Sequence, residues 1–242
     1  MSTQVSHSLV SAIKAENLRG FVAVIPDIKC FSPKKGDLLC GRDPVQFARN
    51  LVELGASALS VVTESEHFDG SSELLRSIAS SVNVPILRKD FITNVDQLLE
   101  TLELGATAVL LISAIMGTKT LELLHNKTLQ LGLEPLVEVH TKDEMKFADQ
   151  LGARLIGINN RDILSLELDD SGPELTAELA CLAPADSILI SESGILSSKD
   201  AMWAADAGAN AVLAGTAIWQ ADNVEETYRS LRVRRTNIAT SH

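Results

Sequence analysis

Four short repeats constrain this fold more than any other feature. Leu54-Gly55-Ala56, Leu104-Gly105-Ala106, Leu151-Gly152-Ala153 and Ala207-Gly208-Ala209 each stand just before an apolar run, at intervals of 50, 47 and 56 residues. Glycine at such a point ends a helix in a left-handed conformation, and the small residue after it lets the chain enter the next strand closely. Strand-like runs are predicted over 21–28, 58–63, 85–88, 108–112, 135–139, 155–158, 187–191 and 211–215. Helical spacing falls between them, near 44–54, 71–82, 94–104, 118–131, 141–151, 172–182, 197–207 and 222–231, several with Ser, Thr, Asp or Asn where an N-cap belongs. Strands alternating with helices imply right-handed βαβ units and a parallel sheet.

Eight such units in 242 residues suit a single α/β domain over 1–242, a (β/α)8 TIM barrel, which takes roughly 250 residues. An open doubly wound sheet is the alternative, but no Gly-x-Gly-x-x-Gly follows the first strand. The apolar content of 45% with only 4% aromatics favours a core of Val, Ile, Leu and Ala, as parallel strands buried on both faces require. Val5, Leu9, Val10 and Ile13 lie at helical spacing, so residues 1–20 are expected to form a short N-terminal helical extension. Residues 232–242 are expected to form a frayed tail.

A net charge of −11 argues against nucleic-acid binding, which relies on clustered Lys and Arg. Cys30, Cys40 and Cys181 show neither metal-ligand spacing nor a disulfide framework, so no metal site is expected. Cys30 adjoins a candidate catalytic lysine; it is either a thiol of lowered pKa or, the favoured reading, inert. No apolar run approaches the roughly 18 residues of a membrane span, and the N-terminus lacks a signal-peptide core. Cytoplasmic residence, without membrane association, is the default expectation.

The strand ends carry the chemistry. Alternate residues of a barrel strand face inward, so Asp27 and Lys29 are expected to share the interior at the mouth. As a pair they read as a simple ion pair or as catalytic groups. The catalytic reading gains when Lys89 and Glu138 also fall at C-terminal strand ends, because such groups converge on one cavity. Two lysines and two carboxylates supply an acid, a base and an anchor for a substrate carboxylate. Glu138, in the apolar run Pro135-Leu136-Val137-Glu138-Val139, is expected to have its pKa raised by burial. Arg88 competes with Lys89 for the inward direction, and parity with an inward Leu87 favours Lys89. After the last two strands, Glu192-Ser193-Gly194 and Ala214-Gly215-Thr216 put small residues and N–H groups where barrel enzymes commonly bind phosphate, and Ser32 adds a hydroxyl.

These residues resemble those of the indole-3-glycerol phosphate synthase family. The resemblance runs from about Ile25 to Ile218 and rests on ordered matches. They are Ile28-Lys29 with Ser32-Pro33 and Gly36, Leu59-Ser60-Val61-Val62-Thr63-Glu64 with Phe68-Asp69-Gly70-Ser71, and Arg88-Lys89-Asp90-Phe91. Leu136-Val137-Glu138-Val139-His140, Gly157-Ile158-Asn159-Asn160-Arg161-Asp162 and Ser191-Glu192-Ser193-Gly194-Ile195 complete the set. The resemblance implies a lyase of tryptophan biosynthesis that closes the pyrrole ring of 1-(2-carboxyphenylamino)-1-deoxyribulose 5-phosphate with loss of carbon dioxide and water. It implies Lys89 as general acid, Lys29 at the substrate carboxylate and as a later acid, and Glu138 as the base in dehydration, with Asp27 beside them. Asn159 and Ser193 would orient polar groups, with Glu192 and Arg161 in support. Phosphate would fall to Ser32, Gly194, Gly215 and Thr216, and the anthranilate ring to Pro33, Phe68, Phe91 and Leu111. The family chemistry implies no metal or organic cofactor; the partner implied is the small phosphorylated substrate. Association with other proteins of the pathway is not readable from the sequence.

The family usually carries Ala-Glu-Ile-Lys where this chain has Pro26-Asp27-Ile28-Lys29, so the first-strand carboxylate is one methylene short. Proline cannot donate to a central ladder, which predicts a local rearrangement of strand one. The family also usually has a further N-terminal helix that helps cover the substrate. A diverged paralog, working as lyase or isomerase on another phosphorylated substrate, and a non-catalytic phosphate-ligand binder are the alternative readings.

Overall fold

The repeats close into a barrel. The structure, a computed structural model, describes residues 8–161 and 172–235; Val5, Asp162 and residues 236–242 of the expected tail lie outside them. Eight parallel strands follow one another around the barrel in chain order: β1 (Ala23–Ile28), β2 (Leu59–Val62), β3 (Ile86–Lys89), β4 (Ala108–Ile112), β5 (Glu134–Val139), β6 (Leu155–Asn159), β7 (Ile188–Glu192) and β8 (Ala211–Ala214). Helices α1 (Leu9–Leu18), α2 (Pro44–Glu53), α3 (Ser72–Ala79), α4 (Val95–Glu103) and α5 (Thr118–Gln130) are followed by α6 (Lys142–Gln150), α7 (Glu174–Leu179), α8 (Ser198–Asp206), α9 (Thr216–Trp219) and α10 (Val224–Leu231). The expected (β/α)8 barrel is thus the observed fold.

Local chemistry explains where the helices start and stop. Ser8, Asp43, Ser71, Asn94, Thr141, Ser197 and Asn223 each accept a backbone N–H of the first turn of their helix, a contact typically worth about 1 kcal/mol. Gly55, Gly105, Gly152 and Gly208, the repeat glycines, all have positive φ, the left-handed stop that only glycine adopts without strain. The segment expected to be helical over 172–182 divides into α7 and a 3₁₀ turn, Ala180–Leu182. Among the described residues, three small elements escaped the periodicity: a hairpin pairing Phe31–Ser32 with Gly36–Asp37, a 3₁₀ turn at Ser113–Ile115, and α9. Each is too short to develop a repeat.

Side chains alternate between two layers. Ile25, Leu87, Leu110, Leu136, Leu155, Ile190 and Leu213 pack inside the barrel. Val24, Val61 and Val212 face the helices with Leu75 and Trp219, while Val109, Leu111, Val137 and Ile156 pack with Leu98, Leu124 and Met145. Helix α1 joins the interior set through Leu9 and Ile13, beside Ala23, Ala108 and Ala211 at the strand starts. Glu134, the first residue of β5, accepts Ser8 Oγ at 2.7 Å and the Leu9 amide. The extension therefore plugs the N-terminal end of the barrel, opposite the mouth.

Two expectations need correction. Strand β1 is regular through Pro26: its register with β8 runs from Ala23 to Pro26, and its register with β2 begins at Asp27. Proline sits where the strand passes from one partner to the other, so the missing N–H does not force a rearrangement. Nor is the chain loose over its described residues 232–235. Val233 O accepts the Val22 amide at 2.9 Å, the Arg235 amide donates to Gly20 O at 3.0 Å, and Arg232 pairs with the buried Glu16 at 2.7 Å while stacking on Phe21.

Candidate active site

Inward parity at the strand ends assembles the site. Asp27 and Lys29 from β1 and the turn after it, and Lys89 from β3, stand at the junction of two lobes of one cavity at the barrel mouth. The first lobe is mostly apolar, with Val62, Phe68, Phe91, Leu110 and Ile112, and it ends on Glu138. The second is polar and backbone-rich, with Arg161, Ser193, Gly194, Gly215 and Thr216.

Arg88 shows why Lys89 points inward. Its guanidinium is buried on the helix side, where it donates to Thr63 Oγ1, Thr101 Oγ1 and Gln97 O and pairs with Asp90 at 3.0 Å and Glu100 at 2.9 Å. With Arg88 fixed outward, the pleat sends Lys89 into the barrel. There its Nζ lies 3.5 Å from Glu192 Oε2. Burial pushes the Glu192 carboxyl up to about 8, against the pull of Lys89 and with further upward pressure from Glu138 and Asp27. A carboxyl tuned to that range beside an ammonium can exchange a proton near neutral pH. Room for it comes from Gly157 on β6, where a Cβ would overlap Glu192 Oε1.

Asp27 is engaged by its neighbours. Its Oδ1 accepts Ser60 Oγ at 2.6 Å, its carbonyl accepts Trp219 Nε1 at 2.9 Å, and a Cβ on Gly215 would come within 3.2 Å of its own Cβ. The site is thus fitted to aspartate. Asp27→Glu is expected to lower kcat about tenfold, because an extra methylene carries the carboxylate past Ser60, and displacement of about 1 Å is costly in an active site. Steady-state kinetics at saturating substrate check this; a rise in kcat would identify the aspartate as a defect.

The loop after β2 delivers Phe68. Glu64 accepts the amides of Glu66, His67 and Phe68 at 2.9, 2.9 and 3.1 Å and meets His67 Nδ1 at 3.1 Å. Burial alone would raise the Glu64 carboxyl, but these hydrogen bonds outweigh it and hold it below the usual range. Asp69 is left-handed, and a Cβ on Gly70 would come 2.5 Å from Val62 O, so the Phe68-Asp69-Gly70 turn needs glycine at its end. Lys29 Nζ sits 5.5 Å from the Phe68 ring centroid, a cation–π contact. Glu64, Glu66 and His67 also bring three ligand-type atoms within 4.8 Å of one another, yet Glu64 is already spent on loop amides.

After β7, Ser193 and Gly194 are both left-handed, with φ of 61° and 71°. Such backbone in a non-glycine residue is sparsely populated and needs support. Asn160 provides it, donating through Nδ2 to Ser191 Oγ, Glu192 O and Ser193 O, while its Oδ1 accepts from Thr176 N and Oγ1. No strand-end rule singles out Asn160, since its partners come from β7 and α7. Asn159 is fully buried, pairs in register with Glu192, and accepts the Arg161 amide at 3.2 Å.

Three expected ligand residues sit elsewhere. Leu111 packs against the helices, and Leu110 and Ile112 face the cavity instead. Ser32 and Pro33 belong to the hairpin; Ser32 Oγ accepts the Lys35 amide at 3.4 Å, and neither residue lines the two lobes. Burial, with Asp69 and Asp37, pushes the Cys30 thiol up, which makes it the inert side chain rather than a reactive one.

Fold and site together define a (β/α)8 enzyme whose acid-base groups converge on the C-terminal mouth, the face on which such barrels do their chemistry. Comparison with known proteins narrows that class. The family model described as indole-3-glycerol phosphate synthase matches residues 2–231. An indole-3-glycerol phosphate synthase of Pyrococcus furiosus is 44% identical over 203 residues, 84% of this chain and 88% of the relative. Those of Pyrococcus abyssi, 41% over 207 residues (86% and 90%), and Lactococcus lactis, 40% over 214 residues (88% and 80%), are similar in extent. This chain belongs to the indole-3-glycerol phosphate synthase family.

Proposed function

We infer that this enzyme is a carboxy-lyase converting 1-(2-carboxyphenylamino)-1-deoxyribulose 5-phosphate to indole-3-glycerol phosphate. The observation that carries the reading is the junction of the two lobes: Lys89, Lys29 and Asp27 lie between an apolar surface suited to an aromatic ring and a backbone-rich surface suited to a phosphate. A substrate with an aromatic acid at one end, a phosphate at the other and a ketone between them matches that order.

In this reading the ring carbon bearing the carboxylate attacks the ketone while Lys89 donates a proton to its oxygen. Carbon dioxide leaves, with Lys29 holding the carboxylate beforehand and acting as an acid later. Glu138 then takes a proton as water departs and the pyrrole becomes aromatic. Positioning and proton management suffice, because aromaticity drives the last step. Asn159, Ser193, Glu192 and Arg161 orient these groups. Phe68, Phe91, Leu110 and Ile112 hold the ring, and Gly194, Gly215 and Thr216 hold the phosphate. Cytoplasmic residence is part of the proposal, supported by the lack of any helix long and apolar enough to cross a membrane among the described residues.

The test is a steady-state fluorescence assay for the indole product with purified protein. Turnover is expected. Its absence with the substrate still bound would assign the protein to a diverged paralog acting on another phosphorylated substrate. Thr216→Ala is expected to raise KM about tenfold with little change in kcat, since a phosphate contact remote from the reacting bonds contributes equally to ground and transition states. A loss confined to kcat would remove Thr216 from the phosphate site.

A further inference from the structure

Behind the proposed base lies a second carboxylate, with a histidine between them. Glu138 is fully buried at the end of β5, and His140 Nε2 stands 3.5 Å from its Oε1. On the other side, His140 Nδ1 lies 3.5 Å from Glu144 Oε2, and the same carboxylate oxygen accepts the His140 amide at 2.7 Å. Glu144 is held in turn by the start of α6, where Thr141 Oγ1 accepts its amide at 3.2 Å. The first turn of α6 therefore fixes Glu144, Glu144 fixes the imidazole, and the imidazole faces Glu138. None of the proposed catalytic steps uses His140.

We propose that His140, clamped by Glu144, is a positioning residue that sets the orientation and the ionisation of Glu138. The inference deepens the proposed synthase reaction and rests on Glu138 being its base. Three carboxyl groups surround the ring, Glu138 from β5, Glu144 from α6 and Glu192 from β7, while Lys29 and Lys89 line the same lobe as Glu138. Burial opposes the imidazolium, but these three carboxylates outweigh it and hold His140 above the usual histidine range. That upward shift favours the imidazolium. A cation at this distance favours the charged form of a carboxylate and lowers its pKa, so Glu138 stays an unprotonated base at pH values where a buried carboxyl would otherwise keep its proton.

The sign follows directly. Removing the imidazolium raises the pKa of Glu138, so the acid limb of the kcat profile moves to higher pH. Profiles of kcat against pH for the wild type, His140→Ala, His140→Gln and Glu144→Gln test this. In His140→Ala the acid limb is expected to rise by about one pH unit or more, with KM changed less than about twofold. His140→Gln keeps a hydrogen-bonding group without the charge; it is expected to recover part of kcat but to show the same shifted limb. Glu144→Gln should move the limb in the same direction by less. A loss of kcat uniform across pH, with the limb unmoved, would reduce His140 to a structural role and overturn the proposal.

Failure of the synthase reading is separable, because it appears as a wild type that forms no indole product. The proposal is then decided by infrared titration of the carboxyl C=O band that disappears in Glu138→Gln. That band should titrate at higher pH in His140→Ala than in the wild type, and equal midpoints would refute the proposal. Thermal melts of each variant confirm that the folded protein is being compared.

Discussion

Lys89→Met is expected to abolish turnover while leaving substrate binding within a few-fold of the wild type. Methionine preserves the length and apolar stem of the side chain but has no proton to give, and loss of a positioned general acid costs about 10²- to 10⁴-fold on its own. Unchanged kcat would remove Lys89 from the mechanism. The same substitution carries a pH-dependent stability signature. Glu192, fully buried 3.5 Å from Lys89, has its carboxyl pushed up to about 8, chiefly by burial and despite the lysine. A carboxyl raised on folding takes up a proton between its ordinary range and its folded value, so its contribution to stability is complete at low pH and is lost as pH climbs through that window. Without the ammonium the window extends further upward. Lys89→Met is therefore expected to melt close to the wild type near pH 5 and clearly below it near pH 9. Equal melting-temperature differences at both pH values would contradict the Lys89–Glu192 linkage.

Gly157→Ala is expected to be nearly as damaging, through steric displacement. The added methyl would overlap Glu192 Oε1 and lie 3.1 Å from its Cδ and 3.5 Å from Leu136 Cδ1. The carboxylate, the softest of these neighbours, must shift, and with it the Oε2 that meets Lys89. Displacement of about 1 Å in an active site costs on the order of 10²-fold in rate, and overpacking a filled interior costs about 1–3 kcal/mol. If the effect runs through Glu192, the double variant Gly157→Ala with Glu192→Ala should be no slower than Glu192→Ala alone. Additive losses would mean that Gly157 acts through β6 itself.

The barrel was legible because its signals are local. Each repeat glycine reports a left-handed stop within three residues of its helix, and each N-cap residue acts on the turn that follows it. The direction of Lys89 was legible for a related reason: β3 alternates Leu87, Arg88 and Lys89, and period two separates a residue that pairs outward from one that points in. Leu111 failed on the same rule, because Ala108-Val109-Leu110-Leu111-Ile112 is apolar at every position and carries no parity. Ser32 and Pro33 followed the first strand end, but a two-residue hairpin leaves no periodicity to show where the chain turns. Pro26 read as a disruption; whether a missing donor matters depends on which neighbouring strand the residue faces, and the sequence does not contain that information.

By itself the sequence determined the strand and helix order, the closed parallel architecture, and the presence of Asp27, Lys29, Lys89 and Glu138 at strand ends, since periodicity and capping act over a few residues. Tertiary structure alone decided that α1 plugs the end of the barrel away from the site. It also decided that Lys89 of β3 meets Glu192 of β7, that Gly157 leaves the space for that carboxylate, and that Asn160 braces the Ser193 turn. These contacts join residues far apart in the chain. They arise because closure of the barrel brings the ends of neighbouring and of distant strands into one small interior, where burial, and not sequence position, sets which charges face each other.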